Sequence, residues 1–436
     1  MSGSSIKTHG IWALALIASF FLGNRWQERS QAQQSAPTSS ARSQPAHSLR
    51  SSNSSNPSSS GPTRSKRERL DQAAGGLEEI LDLTPASTAN LEALTLEALR
   101  DPSQVKRRLA FSRLLSQMTP ENATAIRDQL VAAGAGGSEW RDFNYAWGAI
   151  AGEAAFNNSL TADKKNLESL ISGWAATDPT GAINMLSKLP PELADQKKQL
   201  ENGIVSGLAD RDRDEATRYV ASLLEGGRED AGRLMETVAH EVLRKGGPEE
   251  ASAWAATIEN PALKGTAMSE VAERYVRQDP VAAAGWIEQF AKEEFATGAV
   301  ARVGRSWAER EPLAAVNWLD QLPEGPGQKA GLNSAFGDWE DKDPVAAGQY
   351  LLSMPDSPKR DSAISGFANG YAWQDPQTAL AWANDIRDPN LRTESLKRVG
   401  RAYFRRNPDE AQTWLANSGL PSEVQAEIQA SRDRGR

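Results

Sequence analysis

The stretch Met268–Phe290, MSEVAERYVRQDPVAAAGWIEQF, carries a frame that returns to the C-terminus and constrains the fold more than any other feature. An aromatic residue stands five positions before a proline, an alanine three after it and a second aromatic six after it. Measured on that proline or its equivalent, the frame falls at Pro179, Arg213, Pro248, Pro280, Pro312, Pro344, Pro376 and Pro408, with spacings of 34, 35 and then 32 five times running. A fixed period of this size is the signature of a stacked repeat architecture. The alanine column is unbroken: Ala182, Ala216, Ala251, Ala283, Ala315, Ala347, Ala379 and Ala411. Upstream the frame weakens to Leu115–Pro120–Ala123–Ile126 and a loose Tyr145–Ile150–Phe156.

Each unit reads as two helices. Apolar residues such as Val300, Val303 and Trp307, or Leu396, Val399 and Tyr403, sit three and four apart and share one helical face. The residue before a proline avoids the helical region, so the first helix stops at the corner. Asp178, Asp279, Asp343, Asp375 and Asn407 occupy that preceding position. Asp or Asn as cap with Pro as first helical residue is a preferred helix start, so the same pair opens the second helix. A further proline closes that second helix at Pro190, Pro323 and Pro355. The alanine admits a close helix approach, and the aromatic beside it covers the adjoining surface. One pair cannot bury its own apolar face. The sequence therefore predicts an all-α fold: an α-solenoid, a right-handed superhelix of antiparallel helix pairs with a period of about 32–35 residues.

Gly304-x2-Trp307 and Gly400-x2-Tyr403 resemble the Gly-x2-Tyr of tetratricopeptide repeats. Asp279-x3-Ala283-x2-Trp286 and Asp375-x3-Ala379-x2-Trp382 resemble the related Sel-like repeats. The proline lies at a different corner from that of tetratricopeptide units, so the resemblance implies the helical-hairpin class. Over roughly residues 101–416 the chain is most similar to exported bacterial proteins built from Trp-x3-Asp-Pro-x2-Ala-x2-Trp units. That likeness implies a fold and a compartment, and it carries no activity.

The N-terminus points to the same compartment. Lys7 precedes the apolar run Ile11–Gly23, which is short for a membrane span and suits a secretory signal. Arg25, Glu28 and Arg29 stand before the small residues at Ser30 and Ala32, so cleavage and retention as an anchor both stay open. The expected organisation is a signal peptide or N-terminal membrane anchor over 1–29 and a disordered Ser/Pro/Gln-rich linker over 30–65. A helical cap with a degenerate repeat follows over 66–140, and the α-helical repeat domain over 141–436. The body is expected to be exported, either periplasmic or held at the inner membrane, with membrane contact only through residues 11–23. The basic cluster Lys66–Arg69 reads as a solvated helix start.

Charge and composition narrow the chemistry. Residues 1–70 hold nine Lys/Arg and two Glu, and the rest holds 40 basic and 55 acidic residues, a net −15. An acidic body repels phosphate backbones, so no nucleic-acid partner is expected. With no cysteine, a thiolate metal site and a Cys nucleophile are excluded. Of three histidines only His240 lies in the body, so a Ser-His-Asp triad would depend on it alone. No metal site, cofactor or catalytic residue is assigned. Gly134–Gly137 reads as an interhelix turn rather than a phosphate loop. Glu394-Ser395 is too short a match to carry lytic-transglycosylase chemistry. Glu270, Glu273 and Glu309 beside Arg274, Arg302 and Arg305 read as a salt-bridged face.

The column aromatics read as core. Aromatics outside the columns, Trp140, Trp147 and Trp373, are the candidate binding residues. Trp373 replaces Arg277, Glu309, Asp341 and Arg405 of sister units, so it is expected to face solvent or a groove. Six positions before the proline stand Arg274, Ser306, Asp338, Gly370 and Ala402, which share no chemistry. That irregularity favours one partner protein over a repeating polymer. The expected function is a protein–protein interaction scaffold at the cell envelope. A carboxylate-dependent glycan- or peptidoglycan-active enzyme and a structural spacer are the alternatives.

Overall fold

The computed structural model describes residues 88–162, 166–189 and 191–433. The apolar run 11–23, the linker 30–65, the cluster 66–69 and Pro190 lie outside them. The described residues form an all-α fold of 20 helices with no strand among them. They fall into two compact units that divide between Arg211 and Asp212.

The first unit holds α1 (Thr88–Arg100), α2 (Gln104–Ser116), α3 (Ala123–Ala133), α4 (Gly137–Ala162), α5 (Leu167–Thr177), α6 (Pro179–Ser187) and α7 (Lys197–Arg211). The second begins with α8 (Arg213–Glu225), α9 (Ala231–Thr257), α10 (Pro261–Gln278), α11 (Pro280–Glu288) and α12 (Thr297–Ala308). It continues with α13 (Pro312–Gln321), α14 (Pro326–Lys342), α15 (Pro344–Ser353), α16 (Pro358–Tyr371) and α17 (Pro376–Asp385). It ends with α18 (Pro389–Arg406), α19 (Pro408–Asn417) and α20 (Ser422–Asp433). Within the second unit α10 packs on α12, α12 on α14, α14 on α16 and α16 on α18, the neighbour-to-neighbour stacking of a solenoid-like array.

The corners are built as the Asp-Pro frame requires. Second helices start at the ruler proline, and Asp178, Asp279, Asp343 and Asp375 accept hydrogen bonds from amides of the first turn. Asn407 precedes Pro408 without making such a bond. Some acidic residues at this place also hold the preceding helix: the Trp174 indole donates to Asp178 at 3.3 Å, and the Trp307 indole to Glu311 at 3.2 Å. Two corners use glycine instead. Gly247, with φ of 73°, turns the chain into Pro248 inside α9, a left-handed conformation that a side chain would strain. Gly152, with φ of 50°, bends α4, which moves the loose upstream corner two residues past Ile150.

Every member of the alanine column is wholly buried. The aromatic columns meet as pairs inside four units: Tyr275 with Trp286 at 6.2 Å, Trp307 with Trp318 at 6.0 Å, Trp339 with Tyr350 at 5.5 Å and Tyr403 with Trp414 at 6.4 Å between ring centroids. The outer member of each of these pairs is only half-buried. It roofs the helix pair, so in these four pairs the expectation that column aromatics lie in the core holds for the inner member, while Trp254 of the outer column is buried and Tyr371 of the inner one is half-buried. Between first helices the approach is closest where side chains vanish. A β-carbon added at Gly366 would stand 2.0 Å from the Asn333 carbonyl oxygen, so α14 and α16 touch backbone to side.

A further column ties units together. Sixteen residues before the ruler proline stand Lys264, Gln328, Arg360 and Arg392. Each donates to carbonyls ending the preceding unit's second helix: Lys264 to Ala256 at 2.7 Å, Gln328 to Leu322 at 2.7 Å, Arg360 to Leu351 at 3.2 Å and Arg392 to Ile386 at 3.1 Å. Helix C-termini leave carbonyls unpaired and favour positive charge, so one donor meets both needs. Arg310 does the same for a first helix, donating to the Val276 carbonyl at 2.8 Å.

Candidate interaction surfaces

Second helices leave one residue in the open immediately after the ruler proline. In three consecutive units it is aliphatic: Val281, Leu313 and Val345, with 68%, 54% and 67% of their surface exposed. The flanking units place Glu249, Gln377 and Asp409 there, so the aliphatic stretch has two ends. Four residues on, along the same helical face, stand Gly285, Asn317 and Gln349, all exposed and uncharged. Leu352 continues this face of α15 and is exposed as well. The three side chains form a ladder in register, one on each of the second helices α11, α13 and α15. Six positions before the proline the units share no chemistry, and Ser306 and Ala402 there are buried, whereas this exposed position is alike in three successive units. The pattern lies at a position whose exposure depends on the neighbouring unit.

The three candidate aromatics separate. Trp147 is 3% exposed and packs on Phe143 at 5.5 Å, so it belongs to the core and drops out as a binding residue. Trp140 is half-buried, edge-on to Phe143 at 5.8 Å. Trp373 is 53% exposed, in agreement with the expectation that it faces solvent. It sits where α16 turns toward α17, and the Arg405 guanidinium of α18 lies 5.8 Å from its ring centroid. Arg406 donates to the Trp373 carbonyl.

The residues weighed for catalysis have structural partners. His240 is exposed and lies 3.2 Å from Glu270, whose hydrogen bond holds the imidazole pKa above its ordinary value. Glu270 in turn meets Arg302 at 3.4 Å and Arg302 meets Glu273 at 3.3 Å, an ionic ladder across α9, α10 and α12. Ser395 is buried and bonded to Ser365 at 2.8 Å, while Glu394 faces Lys397 and Arg398. Gly134, in the left-handed conformation, ends α3, which makes Gly134–Gly137 a turn. Two carboxyls depart most from the ordinary range. Burial pushes Asp142 up to about 6, against the opposing pull of Arg141. Burial, with help from Asp341 and Asp338, pushes Glu340 up to about 7. Glu340 is 2% exposed, and its carboxyl occupies the space a side chain at Gly370 would fill. It faces a helix rather than an opening.

Among the described residues no group of three or more His, Asp or Glu side chains is placed to hold a metal ion. No described helix is long and apolar enough to cross a membrane. Comparison with protein-family models, with curated proteins and with solved structures finds no match to this chain.

Proposed function

We propose that this chain is a non-catalytic binding scaffold that takes an aliphatic segment of a partner protein along the ladder Val281–Leu313–Val345. The observation that carries this reading is the recurrence of one exposed aliphatic residue at one register in three adjacent units. Exposed apolar side chains scattered singly need no explanation, whereas these recur at one register in successive units. An uncharged strip on a chain whose residues are 24% charged suits an apolar partner and repels no particular sign. The leader-like segment 11–23 and the likeness to exported repeat proteins support placing this surface outside the cytoplasm, at the cell envelope.

The test is cross-linking capture from envelope extract with the full chain and with a variant carrying Val281→Ser, Leu313→Ser and Val345→Ser. These side chains are already in water, so the unfolding midpoint should stay unchanged while the captured protein is lost. Equal capture by both proteins would sink the reading.

A further inference from the structure

A second surface, on the first helices rather than the second, differs in chemistry from the aliphatic ladder. Helix α18 carries Arg392, Lys397, Arg398, Arg401, Arg405 and Arg406 against a single Glu394, a net +5 in a body of net −15. Arg398, Arg401 and Arg405 stand three and four residues apart and so line one face. Part of this charge is neutralised inside the fold. Lys397 lies 2.5 Å and Arg401 4.0 Å from Glu427, and Arg398 lies 3.4 Å from Glu394. Asp375 caps α17, and Glu410 accepts from the Tyr403 hydroxyl at 2.9 Å.

Arg405 is different. It is exposed, and among the described residues it has neither a carboxylate within salt-bridge distance nor a hydrogen bond. Its guanidinium rests beside the half-open Trp373 ring instead. A guanidinium presents five donors in a fixed fork, and none of them is used here. A cation–π contact with an indole orients the guanidinium without consuming its donors. In sister units the Trp373 position holds Arg277, Glu309 and Asp341, so this pairing of cation and indole occurs in one unit alone.

We infer that Trp373 and Arg405, backed by Arg398 and Arg401, form a second docking site for a short acidic polypeptide segment that sets one carboxylate on the Arg405 fork and an apolar side chain on the indole. Charge complementarity names the partner class. Carboxylates match the fork with two parallel hydrogen bonds. A long polyanion would be repelled by the rest of the body, while a segment bearing a few carboxylates meets only this patch.

The experiment titrates the full chain with a fluorescent Glu-rich peptide bearing one central Phe, with the Gln-for-Glu peptide as control, at low and high salt. Saturable binding of the acidic peptide, weakened about tenfold by Arg405→Gln and again by Trp373→Ala at unchanged unfolding midpoint, is expected. Arg405→Lys, which keeps the charge but lacks the fork, should restore only part of the affinity. No binding by the unaltered chain, or binding indifferent to Arg405→Gln, would overturn the inference. Arg405-dependent binding to anionic vesicles in place of the peptide would overturn it too, in favour of a membrane contact. Because the aliphatic ladder plays no part in this titration, the outcome is independent of the proposed function.

Discussion

At the scale of single residues, the positions that recur most are those that hold the frame. Ala315 has no exposed surface, and the same is true of every alanine at its register. A larger side chain has nowhere to go without parting α13 from its neighbours. Ala315→Leu should therefore lower stability by about 1–3 kcal/mol, read from the denaturant midpoint. An unchanged midpoint would mean that the helix pair is not held by close approach at this column. The acidic residue at the corner is equally legible, because a cap and its amides lie within three positions of each other. What single residues concealed was the difference between the aromatics. Trp147 and Trp373 both stand outside the repeat columns, yet one is enclosed and the other open. Only the repeat register, which puts charged residues of sister units at the place of Trp373, hints at the open one; nothing local marks Trp147 as enclosed.

At the scale of helices, the corner is built both with and without a side-chain cap. Asp279 accepts from the Ala282 amide at 2.9 Å, whereas Asn407 makes no side-chain cap bond. Asp279→Ala should cost about 1 kcal/mol, and Asn407→Ala much less, in paired thermal melts. Equal losses would show that the proline, and not the cap, starts the second helix. The donor column Lys264, Gln328, Arg360 and Arg392 recurs in the sequence at the repeat period or twice it, and the residue types alone do not reveal its partners. Three cations and an amide look like solvated surface until the carbonyls they reach are known, and those carbonyls belong to the preceding unit. The Gly246-Gly247-Pro248 corner hid for a related reason. A glycine with positive φ replaces a carboxylate cap with no chemical likeness between them.

At the scale of the molecule, ionisation should be felt in folding. Burial between α14 and α16, with Asp341 and Asp338 nearby, raises the Glu340 pKa from about 4.5 to about 7. A carboxyl whose pKa is raised on folding binds its proton more tightly in the folded state. Its contribution is fully present below the unfolded value and is lost as pH rises through about 7. Stability should thus fall between about pH 4.5 and 7 in proportion to this group, and Glu340→Gln should flatten that slope in denaturant titrations. A slope unaltered by the substitution would place the pH dependence elsewhere. The ionic ladder of His240, Glu270 and Arg302 is more exposed and screened, and it should add less. The two surfaces also belong to this scale. Val281, Leu313 and Val345 come from three helices, and Trp373 and Arg405 from neighbouring units.

The 32-residue recurrence alone determined the helix pairs, their corners and the small-residue column, because each depends on residues within one turn of each other. It placed the repeat without saying which of its surfaces is covered. Tertiary structure decided that Trp147 is core, that the Arg405 guanidinium rests beside the open Trp373 ring, and that an aliphatic ladder faces water. Those outcomes turn on contacts with neighbouring helices, roughly one repeat away, and exposure is a property of neighbours that a local pattern does not encode.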